Sequence, residues 1–249
     1  MGSSWDLSRR HALKGLFAVP AALGGCGDEP PQVTAPQLAF DVPSRAPPVA
    51  APWPTSGETI SCEVSPDQTE GPYYFDPALT RRDIREAQLG SLVRVELRFL
   101  ALTTCRPLDQ MPVELWHANA LGIYSGYPGQ GADGSVDTST ETFLRGMQLT
   151  DDTGLVVFET VYPGQYPGRC PHLHIRAHVG DRVFTSQVYF SDEQNQATRQ
   201  ESPYSTNAVP LVLNETDRIF VSSGGKQLVG ELRELGSGRG RAATLNLTV

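Results

Sequence analysis

The sequence predicts an all-β protein, an antiparallel β-sandwich with long loops and little helix, on three observations. Gly (24) and Pro (20) make up about 18% of the 249 residues, which favours turns and strands over long helices. Leu92 to Leu100 alternates without a break: Val93, Val95, Leu97 and Phe99 share one face, and Arg94, Glu96 and Arg98 the other. That period of two marks a half-buried strand. Short apolar segments then recur at roughly even spacing, parted by turns such as Asp151-Asp152-Thr153-Gly154 and Gly180-Asp181, the layout of a sandwich or barrel.

In chain order, residues 1–26 read as an export signal. Arg9-Arg10 precedes a short apolar run from Gly15 to Leu23, the order of a basic region followed by an apolar core. The arginine pair resembles a twin-arginine signal, and Leu23-Gly24-Gly25-Cys26 resembles a lipobox whose Cys26 is acylated. Residues 27–58 are rich in Pro and Ala without apolar period, and read as an extended tether. One domain follows over 59–249. After the strand at 92–100, further strands are expected at Val113–His117, Gly154–Val161, His172–Val179, Val183–Phe190 and Ala243–Val249. Gln227–Leu235 is the fair helix candidate, and Ser125–Thr140 is a long glycine-rich loop of the kind that is usually functional or mobile.

Composition narrows the function. With 28 acidic against 20 basic residues the net charge is −8, and no basic tract offers the clustered cations that nucleic acid requires. No stretch reaches the roughly 18 apolar residues of a membrane span, so membrane contact is expected only through a lipid anchor at Cys26. Cys62, Cys105 and Cys170 leave three pairings open. In an oxidising compartment a pair is expected to bridge. The position of Cys62 at the domain start and of Cys105 in a turn favours a Cys62–Cys105 disulfide.

The chemistry concentrates in Tyr162 to His174. On a strand, residues i and i+2 share a face about 7 Å apart, so His172 and His174 can meet one ion while Leu173, Ile175 and Ala177 face the core. His178 shares the face but lies roughly 13 Å from His174, too far for the same ion. Zinc, copper or iron would fit two imidazoles, and a Zn or Cu enzyme using that pair is one reading. Tyr166 and Tyr124 add two phenols. Two phenolates with two imidazoles suit Fe(III) better than Zn(II), whereas each tyrosine alone reads as a packed aromatic.

At these residues the chain resembles the intradiol ring-cleavage dioxygenases, non-haem ferric enzymes that include protocatechuate 3,4-dioxygenase and catechol 1,2-dioxygenase. The resemblance rests on Thr69-Glu70-Gly71-Pro72-Tyr73-Tyr74, Arg82-Asp83-Ile84, Trp116 to Tyr124, Tyr162 to His174 and Gln187-Val188-Tyr189-Phe190. It implies non-haem Fe(III) held by Tyr124, Tyr166, His172 and His174, with Tyr166 the ligand that leaves and takes a substrate proton. It implies that Arg169 stabilises charge on the substrate ring, that Gln187 helps position it, and that Tyr73 and Tyr74 line the pocket. The implied reaction opens a catechol between its hydroxylated carbons with O₂, giving a cis,cis-muconate-type diacid. The turn from Tyr166 to His172 is shorter than in the well-known cytoplasmic enzymes, and no N-terminal helical dimerisation region follows the tether. The chain thus resembles exported single-chain members, with homo-oligomer formation left open. Cys170 is expected to point away from the iron. The rival reading is an exported β-sandwich binding module that has lost the chemistry.

Overall fold

In a computed structural model of the chain, the structure describes residues 62–236 and 239–249. The signal and tether expectations, Cys26 included, lie outside the described residues. Among the described residues eight strands form two four-stranded sheets. In chain order they are β1 (Leu92–Leu100), β2 (Pro112–Trp116), β3 (Arg145–Leu149), β4 (Leu155–Val161), β5 (His172–Val179), β6 (Arg182–Tyr189), β7 (Glu231–Glu234) and β8 (Arg241–Thr248). One sheet runs β4-β1-β8-β7 and the other β3-β2-β5-β6. Neighbours are antiparallel except β1 and β8, which run parallel from Val93 beside Arg241 to Leu100 beside Thr248.

Alternation decides what each sheet turns inward. Val93, Val95, Leu97 and Phe99 of β1 join Val113, Leu115, Leu173, Ile175, Ala177, Phe184 and Leu247 in one apolar core. Burying each of the larger side chains contributes roughly 1.5–3 kcal/mol. The core face of β5 therefore takes Leu173, Ile175 and Ala177, and its other face takes His172 and His174. The polar side of β1 departs from the simple pattern, because Glu96 and Arg98 are buried as well.

Two strands and two helices were not legible as such, and one expected helix does not form. β3 carries Arg145, Gly146 and Gln148, with too few apolar residues to show a period. Its glycine has a steric cause: a Cβ at Gly146 would come within 2.6 Å of Ile84 Cγ2, so residues 81–84 can cross the strand closely. The segment Gln227–Leu235 is a 3₁₀ turn, Gly225–Leu228, followed by β7. Gly230 interrupts any helical run there, and Glu231–Glu234 pairs with β8 instead. Helix α1 (Asp192–Arg199) starts at a capping box in which the Ser191 hydroxyl accepts from Gln194 N and Gln194 Oε1 accepts from Ser191 N. A short α2 (Arg218–Ser222) is capped by Asp217.

Cys62 and Cys105 form the expected disulfide, with Cα atoms 5.8 Å apart. It ties the start of the described chain to the turn after β1. Cys170 is free and buried.

Candidate metal centre

The site is built on β5, which lies between β2 and β6. Cross-strand register sets His174 beside Trp116 on one side and Gln187 on the other, and His172 beside Tyr189. Trp116 stacks almost parallel on the His174 ring, with centroids 4.9 Å apart, which fixes the plane of that imidazole. His172 is oriented from its far side: Nδ1 lies 2.7 Å from the Cys170 carbonyl. The geometry assigns the proton to Nδ1 and leaves Nε2 as a bare lone pair.

Tyr124 and Tyr166 come from two loops that are laced together. Gly164 N donates to Asn119 O at 3.0 Å. Gly122 has φ of +78°, and a Cβ there would stand 2.2 Å from Gln165 O, so only glycine lets the two loops touch. Tyr124 is then pinned by Gln130 Oε1 on its N–H and by the Thr138 hydroxyl on its carbonyl. Both anchors belong to the glycine-rich loop at 125–140, whose Gln130 and Thr138 are buried.

These elements bring four donor atoms together. His172 Nε2 and His174 Nε2 are 3.1 Å apart, His174 Nε2 and the Tyr124 oxygen 3.1 Å, and His172 Nε2 and the Tyr166 oxygen 3.5 Å. Donors about 2.1 Å from one ion at angles between square and tetrahedral lie roughly 3.0–3.4 Å apart. Two of the three separations fall in that range and the Tyr166 oxygen lies about 0.1 Å beyond it, so the four residues could meet a single ion with a small inward shift of Tyr166. His174 adds a second observation: its Nδ1 is buried without a hydrogen-bond partner, so the ring is held by stacking and by what meets Nε2.

Electrostatics agree with a cation site. Burial holds both imidazoles well below the usual histidine range, Arg169 adding to the effect on His172 and His172 to that on His174. Both are therefore neutral, the form that binds metal. Burial pushes the Tyr124 phenol well above its usual value and raises Tyr166 too, with Arg169 opposing in each case. A phenolate forms in such a pocket only against a strong local cation.

Arg169 closes one side. Its Nη1 lies 3.3 Å from the Tyr166 oxygen and 3.4 Å from His172 Nε2, and its Nη2 donates to Gln187 Oε1 at 2.5 Å. Gln187 is fully buried and donates to Thr69 O, so it is no solvent-facing strand residue. The Tyr189 hydroxyl lies between Gln68 Oε1 and Gln187 Oε1. Tyr73 lies over the site, stacked on Tyr124 at 4.5 Å and edge-on to Tyr166 at 6.0 Å. The Tyr73 and Tyr74 pair is split by the structure. The Tyr74 hydroxyl donates to Glu114 Oε2 at 2.8 Å, and its ring packs on Trp116, so it supports the flank of the site and its polar end is already occupied. Cys170 Sγ faces Asp217 Oδ2 at 3.2 Å, as expected for a thiol turned from the donors.

Sequence reasoning missed Trp116, Tyr189 and Asp217. Register against His172 and His174 would have pointed to the first two, whereas Asp217 lies 48 residues beyond Arg169 with no local signal. Among the described residues no group of three or more His, Cys, Asp or Glu stands where it could hold a metal ion; the groups that meet the two histidines are phenols. A small cleft beside Tyr73 and Tyr166 is lined by Leu121, Gln130, Pro167 and Val209 and carries no charged side chain. A larger groove at Phe220–Gln227 holds none of the four donors.

Residues 69–234 match the dioxygenase family, Dioxygenase_C. A catechol 1,2-dioxygenase from Candida albicans is 30% identical over 149 residues, covering 52% of this chain and 45% of that protein. The chain thus spans less than half the length of that relative. An intradiol ring-cleavage dioxygenase from the mite Tetranychus urticae superposes with a TM-score of 0.69 at 33% identity, over 75% of this chain and 94% of that one. The dioxygenase domain of a carbohydrate-binding fusion from Streptomyces sp. SirexAA-E gives 0.53 at 26% identity, over 75% and 98%.

Proposed function

The chain belongs to the intradiol ring-cleavage dioxygenase family, and from that premise we propose that it is a non-haem Fe(III) enzyme opening a catechol between its hydroxylated carbons with O₂ to give a cis,cis-muconate-type diacid. The observation that carries the reading is the convergence of His172, His174, Tyr124 and Tyr166 at 3.1–3.5 Å in a buried pocket with Arg169 beside them. Those four residues would hold the ion. When bound, Fe(III) would supply the Lewis acidity that draws a catechol in as its dianion and makes the ring reactive toward O₂.

The protein's own groups do the rest. Tyr166, at the rim beside the uncharged cleft, would be the phenolate whose oxygen accepts a catechol proton. Arg169 stands 3.3 Å from that oxygen; its fixed guanidinium favours negative charge developing on the ring. Gln187 holds Nη2 of that arginine, and the Tyr73 ring offers a flat apolar wall that covers the bound aromatic and keeps water out.

The reading extends to location. The Arg9-Arg10 signal, Leu23-Gly24-Gly25-Cys26 and the Cys62–Cys105 disulfide support an exported, membrane-tethered enzyme. Product analysis tests the activity: iron-loaded protein given catechol, hydroxyquinol or chlorinated catechols should release the muconate-type diacid. A yellow semialdehyde as main product would overturn the reading.

A further inference from the structure

Arg169 serves the reaction only if its guanidinium plane is held, and what holds it comes from a distant part of the chain. Asp217 is fully buried. Its Oδ2 accepts from Arg169 Nε at 2.8 Å, from Cys170 N at 3.0 Å and from Cys170 Sγ at 3.2 Å. Its Oδ1 accepts from Ile219 N and Phe220 N and so caps α2. We infer that Asp217 is the positioning residue that aims Arg169 at the metal centre. The inference rests on the function proposed above.

The geometry argues it in two steps. A guanidinium is a rigid planar fork, so fixing Nε at Asp217 and Nη2 at Gln187 leaves Nη1 one direction, toward the Tyr166 oxygen and His172 Nε2. The same carboxylate oxygen ties the Cys170 amide, and the Cys170 carbonyl orients the His172 ring through Nδ1. One side chain thus sets both the charge beside the site and the attitude of one imidazole. Asp217 is also the carboxylate paired with Arg169. An arginine buried next to a cation site needs that counter-charge, because a lone buried charge is strongly destabilising.

The test separates aiming from helix capping. In Asp217→Asn the amide has one oxygen, so it can cap α2 or accept from Arg169 and Cys170, but it cannot do both. Asp217→Ser keeps a good cap without the charge. Both variants are compared at saturating iron, where their occupancy should be full. Each should lose kcat by about 10–100-fold, the range for groups that orient a metal site from outside, with KM changing less. In an Arg169→Ala background the Asp217→Asn change should lower kcat by a clearly smaller factor than it does in the wild type, the remainder acting through Cys170 and His172. In the iron-free protein, the Arg169 Nε–H resonance should exchange slowly with water, and at least tenfold faster in Asp217→Ser.

Wild-type kcat in the Asp217 variants, losses that multiply with that of Arg169→Ala, or unchanged Nε–H exchange would overturn the inference. Absence of ring opening by the wild-type protein would overturn the functional reading instead. The exchange measurement would then still decide whether Asp217 fixes Arg169.

Discussion

One face of β5 carries histidines at both ends, and the two ends are chemically opposite. At the start, His172 and His174 are fully buried, and their Nε2 atoms meet each other, two phenol oxygens and Arg169. Further along, His178 is partly exposed and its Nε2 lies 2.6 Å from Glu114 Oε1. Glu114 also accepts from Tyr74 and stands 4.0 Å from Arg176 Nε. The second cluster is built on a carboxylate: Glu114 meets the His178 imidazole and the Tyr74 hydroxyl, while Arg176 Nε is buried near it without a hydrogen bond. The first gathers two imidazole Nε2 atoms and two phenol oxygens that meet one another at 3.1–3.5 Å in a buried pocket, an arrangement that a cation would satisfy better than they satisfy each other. Residue type and strand periodicity are the same at both ends, so the kind of partner, phenols and a second imidazole against a carboxylate, separates the candidate ligand histidines from His178.

The largest expected effect breaks the comparison at its first end. His172→Ala or His174→Ala should reduce iron affinity by more than about 100-fold, beyond the 10–100-fold cost of losing an outer partner. Metal analysis of the purified variants checks it, and the disulfide-bonded fold should persist because Leu173, Ile175 and Ala177 are untouched.

A smaller effect comes from a third histidine, His117, buried on the loop leading to Tyr124. Its ring lies 2.6 Å from the Thr160 hydroxyl and 2.8 Å from the Ala118 carbonyl. Burial pushes it down to about 4. The unfolded chain therefore takes up the proton first, near 6.5. The stability that depends on a neutral His117 is complete above pH 6.5 and is lost as the pH falls through 6.5 toward 4. Its share is about 3 kcal/mol. Denaturant melts of the iron-free protein across that range should show a steep decline that His117→Gln makes shallower by that amount.

The smallest effect probes the carboxylate-paired end. Glu114→Gln removes the charge of a buried acceptor that meets His178 and Tyr74 and should cost about 1.5–3 kcal/mol at pH 7, with iron content unchanged. Loss of iron in that variant would erase the distinction between the two ends.

The sequence made most of this legible where local chemistry repeats. Period-two alternation located β1 and β5, and the His-x-His step on a strand assigned one face to ligands and the other to the core. Tyr124 and Tyr166 were found through their motifs, and the structure adds the reason they meet, the Gly122 contact with Gln165. β3 stayed hidden because a strand carrying Arg145, Gly146 and Gln148 shows no alternation; close approach of Ile84 shapes it. Gln227–Leu235 misled because helical spacing carries no information about Gly230 or about the edge of β8 that β7 covers. Asp217 could not be read at all, since its purpose exists only once α2 has folded against Arg169.

The central claim, that both tyrosines and both histidines hold one ferric ion, is tested most directly by the visible spectrum of the iron-loaded protein. The account predicts a red-brown, tyrosinate-to-iron charge-transfer band that shifts in Tyr124→Phe, changes again in Tyr166→Phe and disappears when both are replaced. An iron-loaded protein without that band, or with a band indifferent to both tyrosines, would contradict it.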